Sequence, residues 1–233
     1  AMAVLKDIGE LGISDSREGG RDYVLRPSFE AMSRLGEPEE IVRLYAEING
    51  SDVQRAFYDC DEAFGGVPDW MLPVINNLSD KILSASMLVL QACCEEDLTR
   101  AIGEWSEIEG KIMYLPGIMP KEDIVTLAKE LMLHGIIGNA KVRRLQRHEA
   151  KETTTEFNAA EYIAAAQTHF NIGLREASQL TMTAFQLLLA AKYPDQKGFT
   201  RDEYDAIANE YLARQAARRG KAKAIRQSSA AES

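Results

Sequence analysis

Apolar residues recur at three- and four-residue spacing along most of the chain, which is typical of amphipathic helices. The longest such stretch covers residues 70–96. Its apolar stripe contains Ile75, Leu78, Ile82, Leu83, Met87, Leu90 and Cys94. Further helices are predicted over 95–107 and 120–134. We therefore predict an all-α protein, mostly helical, with room for one short hairpin or strand near the N-terminus, where Tyr23–Arg26 is apolar enough to be extended.

Several residues mark where the N-terminal helices begin and end. Ser28 is placed to cap a short helix that ends before Gly36, and Pro38 suits the first turn of the next helix. Asn49-Gly50 is a typical helix end. Ser51 and Gln54 have the spacing of a capping box for a helix that continues to about Phe64.

A six-residue pattern occurs twice in the last third of the chain, at 157–162 and 199–204. Each copy has an aromatic residue, a capping residue, two further residues, a glutamate and a tyrosine. In the first copy, Asn158 would cap the helix, Glu161 would return to the cap N–H, and Phe157 would pack on Tyr162 as a hydrophobic staple. Thr200, Glu203, Phe199 and Tyr204 would do the same in the second copy.

A third helix start lies between the two copies. Thr183 and Gln186 are spaced as a capping box, with Met182 and Leu187 as the staple. Together these signals predict a four-helix C-terminal module, with helices over 158–170, 174–180, 183–193 and 200–218.

The polar, β-branched run at 153–156 is the best candidate for a linker. It divides the chain into two predicted helical domains, 2–152 and 157–218. The small and polar residues of 219–233 predict a disordered tail.

Composition narrows the classes of partner. The chain has 233 residues and a net charge of −9, so we expect the protein as a whole to repel nucleic acid. Two basic clusters, at 141–151 and 214–226, are read either as solvated helix surface or as a docking site for an acidic partner.

No apolar run is as long as a membrane span. Three cysteines, two of them adjacent, suggest reduced thiols rather than a disulfide framework.

The sequence contains no recognisable catalytic signature. His134, His148 and His169 lie on different predicted helices, and neither a phosphate loop nor a zinc spacing is present. The acidic run 59–62 is explained by a helix surface. We therefore predict a protein that is not an enzyme and has no catalytic, cofactor-binding or metal-binding residues.

The most apolar helix of the predicted module is the candidate binding element. Residues 185–193 are apolar nearly all round, and two readings are open: a central helix enclosed by its neighbours, or a helix that contacts another protein. Under the second reading, the partner-binding residues are Met182, Phe185, Leu187 and Leu188.

Three stretches resemble a known family when taken together. They are Tyr-Val-Leu-Arg-Pro-Ser-Phe-Glu-Ala at 23–31, Leu-Pro-Gly at 115–117 with the apolar run at 131–138, and Leu-Thr-Met-Thr-Ala-Phe-Gln-Leu-Leu at 180–188. The chain is similar here to the all-helical tail assembly chaperones of long-tailed bacteriophages. The resemblance implies a non-catalytic protein of the host cytoplasm that self-associates, keeps the tape measure protein soluble and helps to recruit tail tube subunits.

Two alternatives belong to other classes. One is a structural virion component, such as a head-completion or connector protein. The other is an uncharacterised helical enzyme.

Overall fold

A computed structural model describes residues 2–15, 17, 19–140 and 155–193 of the chain. Within this part, α-helices are combined with two small antiparallel sheets. The all-α prediction is therefore wrong, because the fold is of the α+β type. The described residues form two sheets, whereas the prediction included at most one short N-terminal hairpin or strand.

The first sheet is a three-stranded antiparallel meander with the order β1-β2-β3. Its strands are β1 (Met2–Leu5), β2 (Leu11–Ser14) and β3 (Asp22–Leu25). Leu11 lies opposite Leu25 and Ile13 lies opposite Tyr23, and all four side chains are buried on one face. β2 and β3 alternate between buried and more exposed positions, whereas the described side chains of β1 are all exposed. Each strand has four residues, which is too short for a period of two to stand out.

The second sheet is a hairpin of β4 (Glu104–Ile108) and β5 (Lys111–Leu115). Glu109 and Gly110 form its two-residue turn, and both have positive φ, at 53° and 76°. Such a turn matches the twist of the two strands, and glycine takes this conformation without steric cost. The predicted helix over 95–107 is wrong, since only α5 (Thr99–Ile102) is helical within that range.

Three helices follow the first sheet: α1 (Phe29–Ser33), α2 (Pro38–Ile48) and α3 (Ser51–Phe64). The Ser28 cap is confirmed, because its Oγ accepts a hydrogen bond from the Ala31 N–H at 3.1 Å. Pro38 lies in the first turn of α2, as predicted. The Ser51 cap is wrong, since the Ser51 hydroxyl donates back to the carbonyl of Ala46 in the preceding helix.

The long predicted helix over 70–96 is shorter in the structure. A 3-10 helix (Asp69–Met71) leads into α4 (Leu72–Ala92). Next to it lies α6 (Lys121–Met132), which continues into a π-helical segment (Leu133–Ile137).

The C-terminal described helices are α7 (Ala159–Phe170), α8 (Leu174–Ser178) and α9 (Met182–Lys192). The Asn158 cap is confirmed by its bond from the Ala160 N–H. Glu161 accepts from the side-chain amide of Asn158 rather than from its backbone N–H. The cap of α9 is Thr181, which accepts from the Ala184 N–H, so the start predicted at Thr183 is two residues late.

Residues from both predicted domains share one hydrophobic core. The Phe157 and Tyr162 rings stack with centroids 5.2 Å apart, which confirms the predicted staple, and Tyr162 also stacks on Phe29 at 5.5 Å. The described helices of the C-terminal part belong to the same compact unit as the N-terminal helices. Residues 153–154 and 194–233 lie outside the described part, so the division into 2–152, linker 153–156, module 157–218 and tail 219–233 stays a prediction, as does the second staple.

Phe157→Ala should lower the free energy of unfolding by about 3 kcal/mol, because it removes a buried ring that packs on Tyr162. Urea denaturation followed by circular dichroism measures the loss. Leu174→Ala is the matched control, since Leu174 is 64% exposed on α8 and should change stability by no more than about 0.5 kcal/mol. Equal effects of the two substitutions would mean that the staple does not contribute to the core.

Candidate protein-binding surface

The four predicted partner-binding residues lie on two sides of α9. Met182 and Phe185 are buried, whereas Leu187 and Leu188 are 37% and 40% exposed. The structure therefore brings the two leucines together at the surface. The other two side chains are directed into the core, where a partner does not reach them in this conformation.

Phe185 anchors α9 in an aromatic cluster. Its ring makes edge contacts with Phe29, Tyr162 and Phe170, at centroid distances of 5.9, 5.9 and 5.7 Å. Edge-to-face pairs of this kind stabilise beyond the area that they bury. The enclosed-helix reading therefore describes this face of α9, while the exposed leucines leave the partner-binding reading open for the other face.

Polar contacts between α9 and the π-helical segment set the rotation of α9. The Gln186 amide donates to the Ile137 carbonyl at 2.7 Å, and its oxygen accepts from the Ala140 N–H. Gly138 has a φ of 81°, and a Cβ at this position would collide with the Gln186 side chain. These contacts hold Gln186 inward, so the next two residues on the helix are turned outward.

Thr183 forms the buried part of the same contact. Its Oγ1 lies 2.8 Å from His134 Nδ1 and accepts from the Asn139 N–H at 2.9 Å. Both side chains are buried, at 0% and 3% exposed. A hydroxyl beside an imidazole is also the chemistry of an activated nucleophile, but this oxygen is enclosed and already hydrogen-bonded. The pair therefore joins two helices, and the Thr183 side chain is closed to solvent.

Burial lowers the pKa of His134 below its ordinary value of 6.5, and the nearby Glu130 carboxylate opposes this shift. The imidazole is therefore neutral in the folded protein at pH 7. The π-helical geometry places the imidazole under α9. Segments of this kind are rare in proteins, and those that occur are often at functional sites. Sequence reasoning found this histidine but no partner for it.

Sequence reasoning missed a groove that runs along α4. Its floor is one face of that helix, and its volume is about 920 Å³. The floor residues are spaced three and four apart: Pro73, Asn76, Asn77, Asp80, Lys81, Ser84, Ala85 and Leu88. The predicted apolar stripe of α4 lies on the other side, with Leu83 and Leu90 buried.

The two walls of this groove, named here the α4 groove, come from α2 and from the β4–β5 hairpin. Leu44 and Glu47 form one wall, and Trp105 and Ile112 form the other. Ile112 is on the same hairpin face as Trp105 but is 77% exposed, because this end of the hairpin projects past the core. The pair Glu109-Gly110, which suits a two-residue hairpin turn between two short segments that contain apolar residues, was the signal that could have identified this wall.

Trp105 is held in place by its cross-strand neighbour. Its ring lies 5.5 Å from the Tyr114 ring, and the Tyr114 hydroxyl donates to the Ile102 carbonyl at 2.7 Å. The Trp105 Nε1–H is shielded from solvent and has no acceptor among the described residues. This wall therefore combines a rigid apolar ring with an unsatisfied donor.

A second uncovered apolar area lies where α3 meets α4. Phe64 and Trp70 contact each other edge-to-face at 5.8 Å, yet both remain mostly exposed. Other large apolar side chains in the same elements are also exposed: Phe57, Tyr58, Leu72 and Val74. Clusters of exposed apolar side chains are typical of surfaces that bind proteins.

The free energy of unfolding should fall as the pH is lowered from 6.5 towards 5. His134 has a lower pKa folded than unfolded, so the unfolded chain binds more protons in this range, and stability present above pH 6.5 is lost on acidification. Urea titrations at pH 7.5 and 5.5 measure the difference. His134→Gln, which keeps a hydrogen-bonding group near Thr183, should show a smaller loss over the same interval. An identical loss in both proteins would assign the pH dependence to other groups.

Among the described residues, no cluster of His, Cys, Asp and Glu side chains is arranged to hold a metal ion. None of the described helices is both long enough and apolar enough to cross a membrane.

Curated proteins and solved structures gave no match to the chain. One family, described as a family of unknown function (DUF6246), matches residues 25–206, well over half of the chain. The chain therefore belongs to the DUF6246 family.

Proposed function

We propose that this protein is a non-catalytic chaperone of phage tail assembly, which keeps the tape measure protein soluble in the host cytoplasm and helps to recruit tail tube subunits. The observation that carries the proposal is the amount of uncovered apolar surface on α3, the 3-10 helix and α4, where the rings of Tyr58, Phe64 and Trp70 are each more than 60% exposed. A chaperone needs such a surface, since it binds clients through apolar contacts.

The sequence resemblance supplies the identity of the client. A tape measure protein is long, helical and apolar, so it needs a partner in the cytoplasm until the tail tube encloses it. The proposal depends on the quoted sequence stretches and on the exposed surface. It does not depend on an all-helical fold, which this chain lacks.

Leu187 and Leu188 extend the proposed binding surface to α9. They are adjacent and exposed, and the Gln186 contacts hold them outward. Self-association of the chaperone is part of the proposal, because many copies are needed to cover a long client.

Coexpression should keep the tape measure protein from the same gene cluster soluble. Leu188→Asp should lower its soluble fraction several-fold, because a charge replaces an apolar contact at a position that is 40% exposed and tolerates the change in the folded state. The measurement is the soluble fraction of the tape measure after centrifugation. Leu174→Asp, at another exposed leucine, is the matched control and should keep the full effect.

Equal aggregation of the tape measure with and without this protein would contradict the proposal. Recovery of the protein from purified virions would then favour a structural virion component.

A further inference from the structure

The negative charge of the chain is concentrated in one segment. Residues 47–115 contain thirteen Asp and Glu residues and four Lys and Arg residues, which gives −9, the net charge of the whole chain. The remaining residues contain 23 acidic and 23 basic side chains, so they are neutral on balance. This acidic segment contains α3, α4 and the β4–β5 hairpin.

Acidic groups of this segment lie at the α4 groove. Glu47 and Asp80 line it, together with Lys81. Glu107 is the cross-strand partner of Ile112, so both side chains lie on the hairpin face that forms the groove wall. Within the described part of the chain, none of these three carboxylates forms an ion pair.

The apolar contacts of the groove are placed along its length. Pro73 and Leu88 are at opposite ends of the floor, fifteen positions apart on α4. At 1.5 Å per residue this separation is about 22 Å, or four helical turns. Trp105 and Ile112 are on one wall and Leu44 is on the other. The groove therefore offers apolar walls and acidic positions over the length of a partner helix of about fifteen residues.

We propose that the α4 groove binds one amphipathic helix whose apolar stripe is flanked by Lys and Arg. The apolar face would pack between the hairpin wall and Leu44, and the basic flanks would lie beside Glu47 on one wall and Glu107 on the other. Charge complementarity of this kind sets orientation and partner choice. This inference rests on the proposed chaperone function, in that it specifies the type of client helix and where it binds.

A peptide titration tests the groove without any tape measure protein. The probe is an alanine-based helix of about eighteen residues, with leucine along one stripe and lysine on both flanks. A second peptide has the same stripe with glutamate in place of lysine. In a Trp70→Phe background, Trp105 is the remaining tryptophan of the two in the chain, and its fluorescence reports binding at the groove wall.

The lysine peptide should bind at least about tenfold more tightly than the glutamate peptide at low salt, and the difference should shrink as salt is added. Ile112→Asp should weaken binding of the lysine peptide about tenfold, while Leu174→Asp leaves it unchanged, since both positions are exposed and the substitutions match. Glu107→Lys should also weaken binding, with Glu156→Lys, an exposed glutamate outside the acidic segment, as its charge control.

Equal affinities for the two peptides would overturn the proposal, as would equal effects of Ile112→Asp and Leu174→Asp with both proteins folded by circular dichroism. A second copy of this chain is the competing occupant. Sedimentation that shows self-association lost in Ile112→Asp, with no peptide binding to the wild type, would assign the groove to that copy and overturn the helix-client reading.

The result of the groove test can be distinguished from the result of the chaperone test. If Ile112→Asp keeps the tape measure protein as soluble as the wild type does, the groove proposal is contradicted and the chaperone proposal stands. If the lysine peptide binds but the tape measure protein still aggregates, the groove proposal stands and the chaperone proposal is contradicted.

Discussion

The stack of Phe29 on Tyr162 is the contact on which the arrangement of the C-terminal helices depends. Phe29 is fully buried and also touches Phe185, so one ring joins α1 to both α7 and α9. The backbone reinforces the same junction, because the Phe29 N–H donates to the Leu180 carbonyl and Ser28 pairs with Thr181. Residues 133 to 156 positions apart are thus joined at one point, and their burial there stabilises the helices on both sides.

Within the described residues, one face of α4 takes no part in this junction and is left open. The buried face of α4 packs on α6 and α2, and its opposite face forms the floor of the α4 groove. The hairpin extends past the core, so Ile112 is 77% exposed among the described residues. The acidic segment and the α4 groove therefore lie apart from the aromatic junction. In α9 the two coincide, because Phe185 packs in the junction while Leu187 and Leu188 of the same helix are exposed.

The two proposed contact regions differ in how they are held. Leu187 and Leu188 project from a helix whose rotation is set by Gln186 and by the buried Thr183–His134 pair. The α4 groove instead combines a helix face with a hairpin anchored through Tyr114. Both are built on regular elements with buried supports, so the proposed binding would require little movement of the backbone.

Local signals in the sequence determined the caps at Ser28 and Asn158 and the Phe157–Tyr162 staple, because these involve residues close together in the chain and depend on local backbone geometry. Of the four-residue strands, the sequence indicated only the extended segment at Tyr23–Arg26, which overlaps β3. β1 and β2 escaped prediction, since the hydrogen bonds that define them come from partner strands. For the candidate site, the sequence showed that α9 is apolar. It did not show which of the α9 side chains are exposed. Phe185 and Leu188 are equally apolar in sequence, and only packing against Phe29 and Tyr162 decides that one is buried and the other is exposed. The α4 groove likewise exists only in the tertiary structure, because its floor and its two walls come from segments that are distant in sequence and that the shared core holds side by side.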